Sequence, residues 1–159
     1  MDFMITTATE ADGPQIQSIT ASTGVFNQEE VDSVGVMWTE YLTLGSDDSG
    51  YHFLAYRDGD RVLGFAIYGP RELTDRVFDL YWIAVDPTAQ CKGVGRNLLT
   101  ASEEAVRAMG GRMLIAETSG TPYYEPARKF YFAMGYENEA MIKDFYTPGD
   151  DLMIFIKRI

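Results

Sequence analysis

The sequence predicts an α+β fold. Three observations carry that prediction. Between Tyr51 and Val85, three runs rich in aromatic and β-branched residues are separated by tight turns. Outside that block, apolar residues recur at helical spacing. Glycine or proline marks most of the boundaries between these segments.

Taken in order, Phe3 to Thr7 alternates and reads as a short strand. Thr9-Glu10-Ala11-Asp12 offers capping residues for a helix through about Thr20. Asn27-Gln28-Glu29-Glu30 opens a second helix, with Val31, Val34, Met37, Trp38 and Tyr41 at helical spacing. Asp47-Asp48-Ser49-Gly50 reads as a loop. Tyr51–Tyr56 and Val62–Tyr68 are strands joined by Arg57-Asp58-Gly59-Asp60, where Asp-Gly is a strong hairpin signal. Gly69-Pro70 ends the second of them. Val77–Val85 follows as the third strand of an antiparallel meander, stopped by Asp86-Pro87. From about Gly93 to Ala108, Val94, Leu98, Leu99, Ala101, Ala105 and Val106 form an apolar helical stripe that stops at Gly110-Gly111. A short strand at Met113–Ala116 and a helix at Pro126–Met134, stopped at Gly135, come next. Two last strands, near Tyr136–Phe145 and Leu152–Ile156, are joined by a turn at Thr147-Pro148-Gly149-Asp150.

With 159 residues and no linker, repeat or low-complexity stretch, the chain is expected to form one domain over residues 1–159. No apolar run reaches the roughly 18–20 residues that a membrane-spanning helix needs, and the first residues lack the pattern of a secretory signal. The single cysteine, Cys91, allows no internal disulfide and fits a reducing, cytoplasmic setting. A net charge of −11 disfavours nucleic acid and anionic membranes as partners. The same acidity suits a cationic substrate such as an amine, or serves solubility alone. His52 and Cys91 supply no metal-ligand cluster, so no metal is expected.

The most informative stretch is Gln90-Cys91-Lys92-Gly93-Val94-Gly95-Arg96, between a strand and a helix. Its glycines let a ligand approach the backbone. The first N–H groups of the following helix have no helical acceptor and point outward, which suits a phosphate or pyrophosphate. Lys92 and Arg96 add positive charge. Taken alone, the spacing also fits a glycine-rich turn that binds nothing. A Walker loop is excluded because no Gly-Lys-Ser/Thr follows at the required spacing. A dinucleotide fingerprint has two of its glycines and an acidic residue, Glu117, about 20 residues on. However, Leu98 stands at the third glycine position, and hairpin-linked strands do not suit a parallel βαβ sheet.

Gln90-x-x-Gly93-x-Gly95 resembles the acyl-CoA pyrophosphate loop of GNAT acetyltransferases, Gln/Arg-x-x-Gly-x-Gly/Ala. It follows Trp82-Ile83-Ala84-Val85-Asp86-Pro87, which is similar to the family's strand and turn before that loop. Further on, Ala127-Arg128-Lys129-Phe130-Tyr131-Phe132-Ala133-Met134-Gly135-Tyr136 resembles the family's Ala-x-x-x-Tyr-x-x-x-Gly-Phe segment. The order of elements matches across nearly the whole chain, by layout only before Tyr51. The resemblance implies a GNAT-like fold: a mixed, mostly antiparallel sheet of six to seven strands, about four helices, and splayed central strands. It implies acetyl-CoA as co-substrate and direct acyl transfer to a primary amine of a small molecule or peptide. It also allows a homodimer.

The resemblance distributes roles residue by residue. Gln90, Cys91, Lys92, Gly93, Val94, Gly95 and Arg96 would hold the pyrophosphate. Backbone groups of Ile83, Ala84 and Val85 would bind the pantetheine arm and the thioester oxygen. Tyr131 matches the general-acid tyrosine that returns a proton to the thiolate, although a core aromatic at this position would look the same. Asp79 stands where some relatives place a glutamate base, one methylene shorter, and Glu117 is a second candidate. Glu125 departs from the family's common asparagine. Cys91 is expected to be incidental, since direct transfer needs no covalent intermediate. His52 is expected to be structural, and Trp38 and Tyr41 to be core or a wall of the acceptor site. An acyl-CoA binder without activity would share the same loop.

Overall fold

The structure, a computed structural model, describes residues 3–159. Its strands are β1 (Phe3–Thr7), β2 (His52–Asp58), β3 (Arg61–Pro70), β4 (Val77–Val85), β5 (Met113–Ser119), β6 (Glu137–Thr147) and β7 (Asp150–Arg158). Its α-helices are α1 (Gly13–Ser22), α2 (Gln28–Ser49), α3 (Val94–Ala108) and α4 (Glu125–Ala133). The strands form one seven-stranded sheet in the order β1-β2-β3-β4-β5-β7-β6. The α+β class is as the sequence predicts, and the mixed, mostly antiparallel sheet with four helices is as the resemblance implies. The described residues form two compact units, residues 3–69 with 81–105, and residues 70–80 with 106–159.

In the first unit, β1 and β3 flank β2 in antiparallel register, from Phe3↔Asp58 to Thr7↔Leu54 and from His52↔Tyr68 to Asp58↔Arg61. The β2–β3 turn is closed by Gly59-Asp60, and Gly59 supplies a positive φ of 59° at the first central position. Phe53, Phe65 and Ile67 are fully buried beneath α1 and α2, together with Ile16, Ile19, Val34, Trp38 and Tyr41. Each large apolar side chain so buried contributes about 1.5–3 kcal/mol. Trp38 meets Phe53 edge-on at 5.0 Å, and the Tyr41 hydroxyl donates to the Ala8 carbonyl at 2.6 Å. Both residues are core. His52 stacks on Tyr68 at 5.0 Å, and burial lowers its pKa, which agrees with a structural role.

Two expectations shift. The capping residues near Thr9 open a 3-10 turn, Glu10–Asp12, before α1 begins at Gly13. Asp47–Ser49 is helical and not a loop. The chain kinks at Gly45 (φ 80°, ψ 171°), resumes a helical turn, and ends at Gly50, whose N–H donates to the Ser46 carbonyl at 2.9 Å from a left-handed conformation.

Asp12 is 3% exposed and takes Arg57 in a bidentate pair, at 3.0 and 2.7 Å, as well as the Thr9 N–H at 2.8 Å. The Arg57 guanidinium holds the Asp12 carboxyl below its ordinary value of 3.8, against the opposing effect of burial. A depressed carboxylate pKa stabilises the fold above the unfolded pKa, and that contribution is lost as pH falls through the folded pKa. Asp12→Asn is therefore expected to cost about 3 kcal/mol at neutral pH. The gap from wild type should start to narrow only below the ordinary carboxyl value of 3.8 and close as pH falls through the depressed folded pKa. Urea denaturation at pH 7 and pH 3 checks this, and equal midpoints at pH 7 would refute it.

In the second unit, β4 pairs with β5 in parallel over Val77↔Met113 to Leu80↔Ala116. The rest of β4, Tyr81–Val85, lies past the end of that register and belongs to the first unit. β5 pairs antiparallel with β7 from Met113↔Arg158 to Ser119↔Leu152, and β7 with β6, the edge strand. α4 packs Tyr131 on Tyr136 and Phe155, with ring centroids 5.7 and 5.5 Å apart. Among the described residues, no helix is long and apolar enough to cross a membrane.

Candidate active site

The turn from β4 to α3 is built by local rules. Asp86 caps the 3-10 turn Pro87–Ala89, its Oδ1 accepting from Thr88 N–H at 2.8 Å and Thr88 Oγ1 at 2.7 Å. Arg61 donates to Thr88 Oγ1 at 2.8 Å. Gln90, Cys91, Lys92 and Gly93 are exposed, and Cys91 and Gly93 take positive φ values of 64° and 82°. Glycine adopts such a φ freely, whereas at Cys91 it is unusual. The first α3 hydrogen bond runs from Asn97 N–H to the Gly93 carbonyl at 3.0 Å. The N–H groups of Val94, Gly95 and Arg96 therefore precede the helical ladder. Val94 is buried, Gly95 half-buried and Arg96 exposed, and the exposed, positively charged Lys92 and Arg96 flank Val94 and Gly95 in the chain.

The sequence reading missed Gly64 on β3. A Cβ there would come within 3.0 Å of the Ala84 carbonyl oxygen, Val94 and Leu98. Its missing side chain lets the first turns of α3 seat closely against the sheet. A glycine inside an otherwise apolar strand is the signal that was available.

In the strand before the turn, Ala84 is buried while Ile83 and Val85 are half-buried. All three lie in the part of β4 beyond its register with β5. The Asp86 N–H donates to the Leu63 carbonyl at 2.8 Å, which ties the end of this segment to β3.

In the second unit, the two carboxylates singled out in the sequence meet on one cation. Asp79 pairs with Ile115 in the parallel register, and Glu117 lies two residues further along β5 on the same face. Arg71 Nη1 donates to Asp79 Oδ1 at 2.9 Å and to Glu117 Oε1 at 3.1 Å. Burial raises the Asp79 pKa, outweighing the lowering effect of Arg71. Arg71 was not singled out from the sequence. It follows the Gly69-Pro70 end of β3, and its N–H donates to the Val77 carbonyl at 2.8 Å, which brings it beside Asp79.

Tyr131 is buried in α4, and burial alone pushes its phenol well above the ordinary value of 10.0. Among the described residues, no sealed polar side-chain atom lacks a partner. Cys91 is exposed, and the described residues contain no group of three or more His, Cys, Asp or Glu side chains placed to hold a metal ion.

Residues 16–136 match the sequence profile of the Acetyltransferase (GNAT) family. The chain belongs to this family. Its activity class is acetyl transfer, and the matched span contains every catalytic and binding candidate named from the sequence. This GNAT chain is 30% identical over 115 residues to the ribosomal protein bS18-alanine N-acetyltransferase of Haemophilus ducreyi, covering 72% of this chain and 76% of that one. A solved GNAT-family protein from Desulfovibrio desulfuricans superposes with a TM-score of 0.95 at 39% identity over 99% of both chains. A Salmonella typhimurium protein solved with its cofactor acetyl-CoA superposes at 0.77 with 19% identity, covering 99% of this chain and 94% of that one, a likeness of fold alone.

Proposed function

We propose that this GNAT enzyme, acting as one domain in the cytoplasm, moves an acetyl group from acetyl-CoA directly onto a primary amine of a small molecule or peptide. One observation carries the reading: the N–H groups of Val94, Gly95 and Arg96 lie ahead of the α3 ladder, within Gln90-x-x-Gly93-x-Gly95. Open N–H groups at a helix N-terminus, with Lys92 and Arg96 beside them, are chemically suited to a pyrophosphate. The Salmonella typhimurium protein of the same fold was solved with acetyl-CoA, which supports the choice of ligand.

Bound acetyl-CoA would supply the thioester. Backbone N–H groups in Ile83–Val85 would polarise its carbonyl as negative charge develops. Asp79, whose pKa burial raises, would accept the ammonium proton, directly or through water, with Glu117 as the alternative base. The amine then forms the new N–C bond and sheds its second proton to solvent while the C–S bond breaks. Tyr131 would donate a proton to the leaving thiolate and regain one from solvent. Transfer nets one amide, one thiol and the proton shed by the ammonium.

Calorimetric titration with acetyl-CoA, with NAD as the control, tests the reading. Binding of acetyl-CoA alone, at micromolar concentration, is expected. Failure to bind it would remove the β4–α3 turn as an acetyl-CoA site. Release of CoA thiol across an amine panel then separates an enzyme from an inactive binder.

A further inference from the structure

We propose that Arg71 selects acceptors carrying a carboxylate beside the amine to be acetylated. The inference rests on the amine-acetylation reading above and names the acceptor's chemistry. Arg71 uses one terminal nitrogen, Nη1, for both Asp79 and Glu117. Its other edge, formed by Nε and Nη2, makes no hydrogen bond to a described residue, and the side chain is 45% exposed. That edge is a planar two-donor fork, the geometry that pairs with a carboxylate through two parallel hydrogen bonds.

The fork is fixed from both ends. At the backbone, Arg71 N–H donates to the Val77 carbonyl at 2.8 Å, and its own carbonyl accepts from Thr74 Oγ1 at 2.7 Å. At the tip, the two carboxylates orient the guanidinium. They carry one negative charge more than Arg71 neutralises, and each keeps lone-pair positions open to an ammonium. An ammonium acceptor set and a carboxylate donor fork thus stand side by side. A compound with both groups a few bonds apart satisfies both. A simple amine satisfies half and leaves the fork to water. In a chain of net charge −11, a lone anion gains little. The carboxylate is therefore read together with the ammonium. A purely structural Arg71, paired with a mostly buried Asp79 and a half-exposed Glu117, would act on stability and leave the preference between acceptors unmoved.

The shared chemistry, ammonium plus carboxylate, occurs in free amino acids and in peptide N-termini followed by an acidic residue. Two matched pairs separate these sources: alanine against alaninamide, and an alanyl-glutamyl peptide amide against its alanyl-glutaminyl counterpart. In a CoA-release assay, the wild type should prefer the carboxylate member of one pair by about tenfold or more in kcat/KM. The free-amino-acid pair would indicate a small-molecule acceptor, and the peptide pair a peptide acceptor. Arg71→Met should remove the preference, Arg71→Lys should keep part of it, and melting temperatures should confirm that both variants fold. Equal kcat/KM within both pairs for the wild type would overturn the proposal. A binding readout keeps it separate from the activity: the Arg71 Nε–H NMR resonance should shift and saturate with the preferred carboxylate probe and stay still with its amide. That shift without CoA release would uphold the selectivity and sink the transferase reading. CoA release with no shift for any carboxylate probe would do the reverse.

Discussion

Gly95→Asp is expected to abolish acetyl-CoA binding while leaving the fold at least as stable. Gly95 sits in the first turn of α3, and its N–H precedes the first helical hydrogen bond, Asn97 to Gly93. A carboxylate there would meet the pyrophosphate at close range. Two unit charges about 4 Å apart at an effective dielectric near 20 repel by about 4 kcal/mol, roughly a thousandfold in affinity. Stability should move the other way. An acidic side chain in the first helical turn is favoured by about 0.3–1 kcal/mol, and replacing a helical glycine adds to that. The opposed signs make the result diagnostic. Gly95→Ala serves as the control for size, and should weaken binding far less. Calorimetry together with a thermal melt measures both effects. Unchanged affinity in a variant that melts at or above wild type would remove this turn from the acetyl-CoA site.

That turn was legible in the sequence because its chemistry is local. A strand end, a proline and two glycines lie within a few residues, and short-range backbone rules fix what they do. The β2–β3 hairpin was legible for the same reason, with Asp58-Gly59 announcing a turn that the register closes at Asp58↔Arg61. The tip of α2 was not. Asp47-Asp48-Ser49-Gly50 has a loop's composition, yet the chain makes a helical turn after the Gly45 kink because Gly50 caps it. Composition shows where a helix can stop, but it does not show that the stop is itself a cap. Arg71 was illegible for a different reason. Its meaning depends on the parallel β4–β5 register, which puts Asp79 and Glu117 on one face, and no residue near Arg71 in sequence reports that register. The two carboxylates were visible as separate candidates. Their sharing of one guanidinium was not.

Tyr131→Phe is expected to lower kcat by about a hundredfold or more, the usual range for a lost general acid, and to leave acetyl-CoA affinity nearly unchanged. The expectation comes from what the hydroxyl does and does not do in the fold. The ring is 7% exposed and packs on Tyr136 and Phe155, contacts that phenylalanine keeps. Phenylalanine differs from tyrosine here by the hydroxyl alone, and burial accounts for that group's raised pKa. Removing it should therefore cost little stability. A pKa pushed above 10.0 also keeps the proton on Tyr131 throughout the neutral range. The donor would then always be loaded, and its titration should not set the alkaline limb of the rate. A core aromatic with no chemical role predicts the opposite kinetics: equal turnover in the two proteins. Steady-state kinetics on both, with calorimetry to hold the binding term fixed, decides between them. A hundredfold loss in kcat alone corresponds to about 2.7 kcal/mol of transition-state stabilisation. Such a loss, without a matching fall in melting temperature, would place the hydroxyl in the transfer step, and equal rates would return Tyr131 to the core.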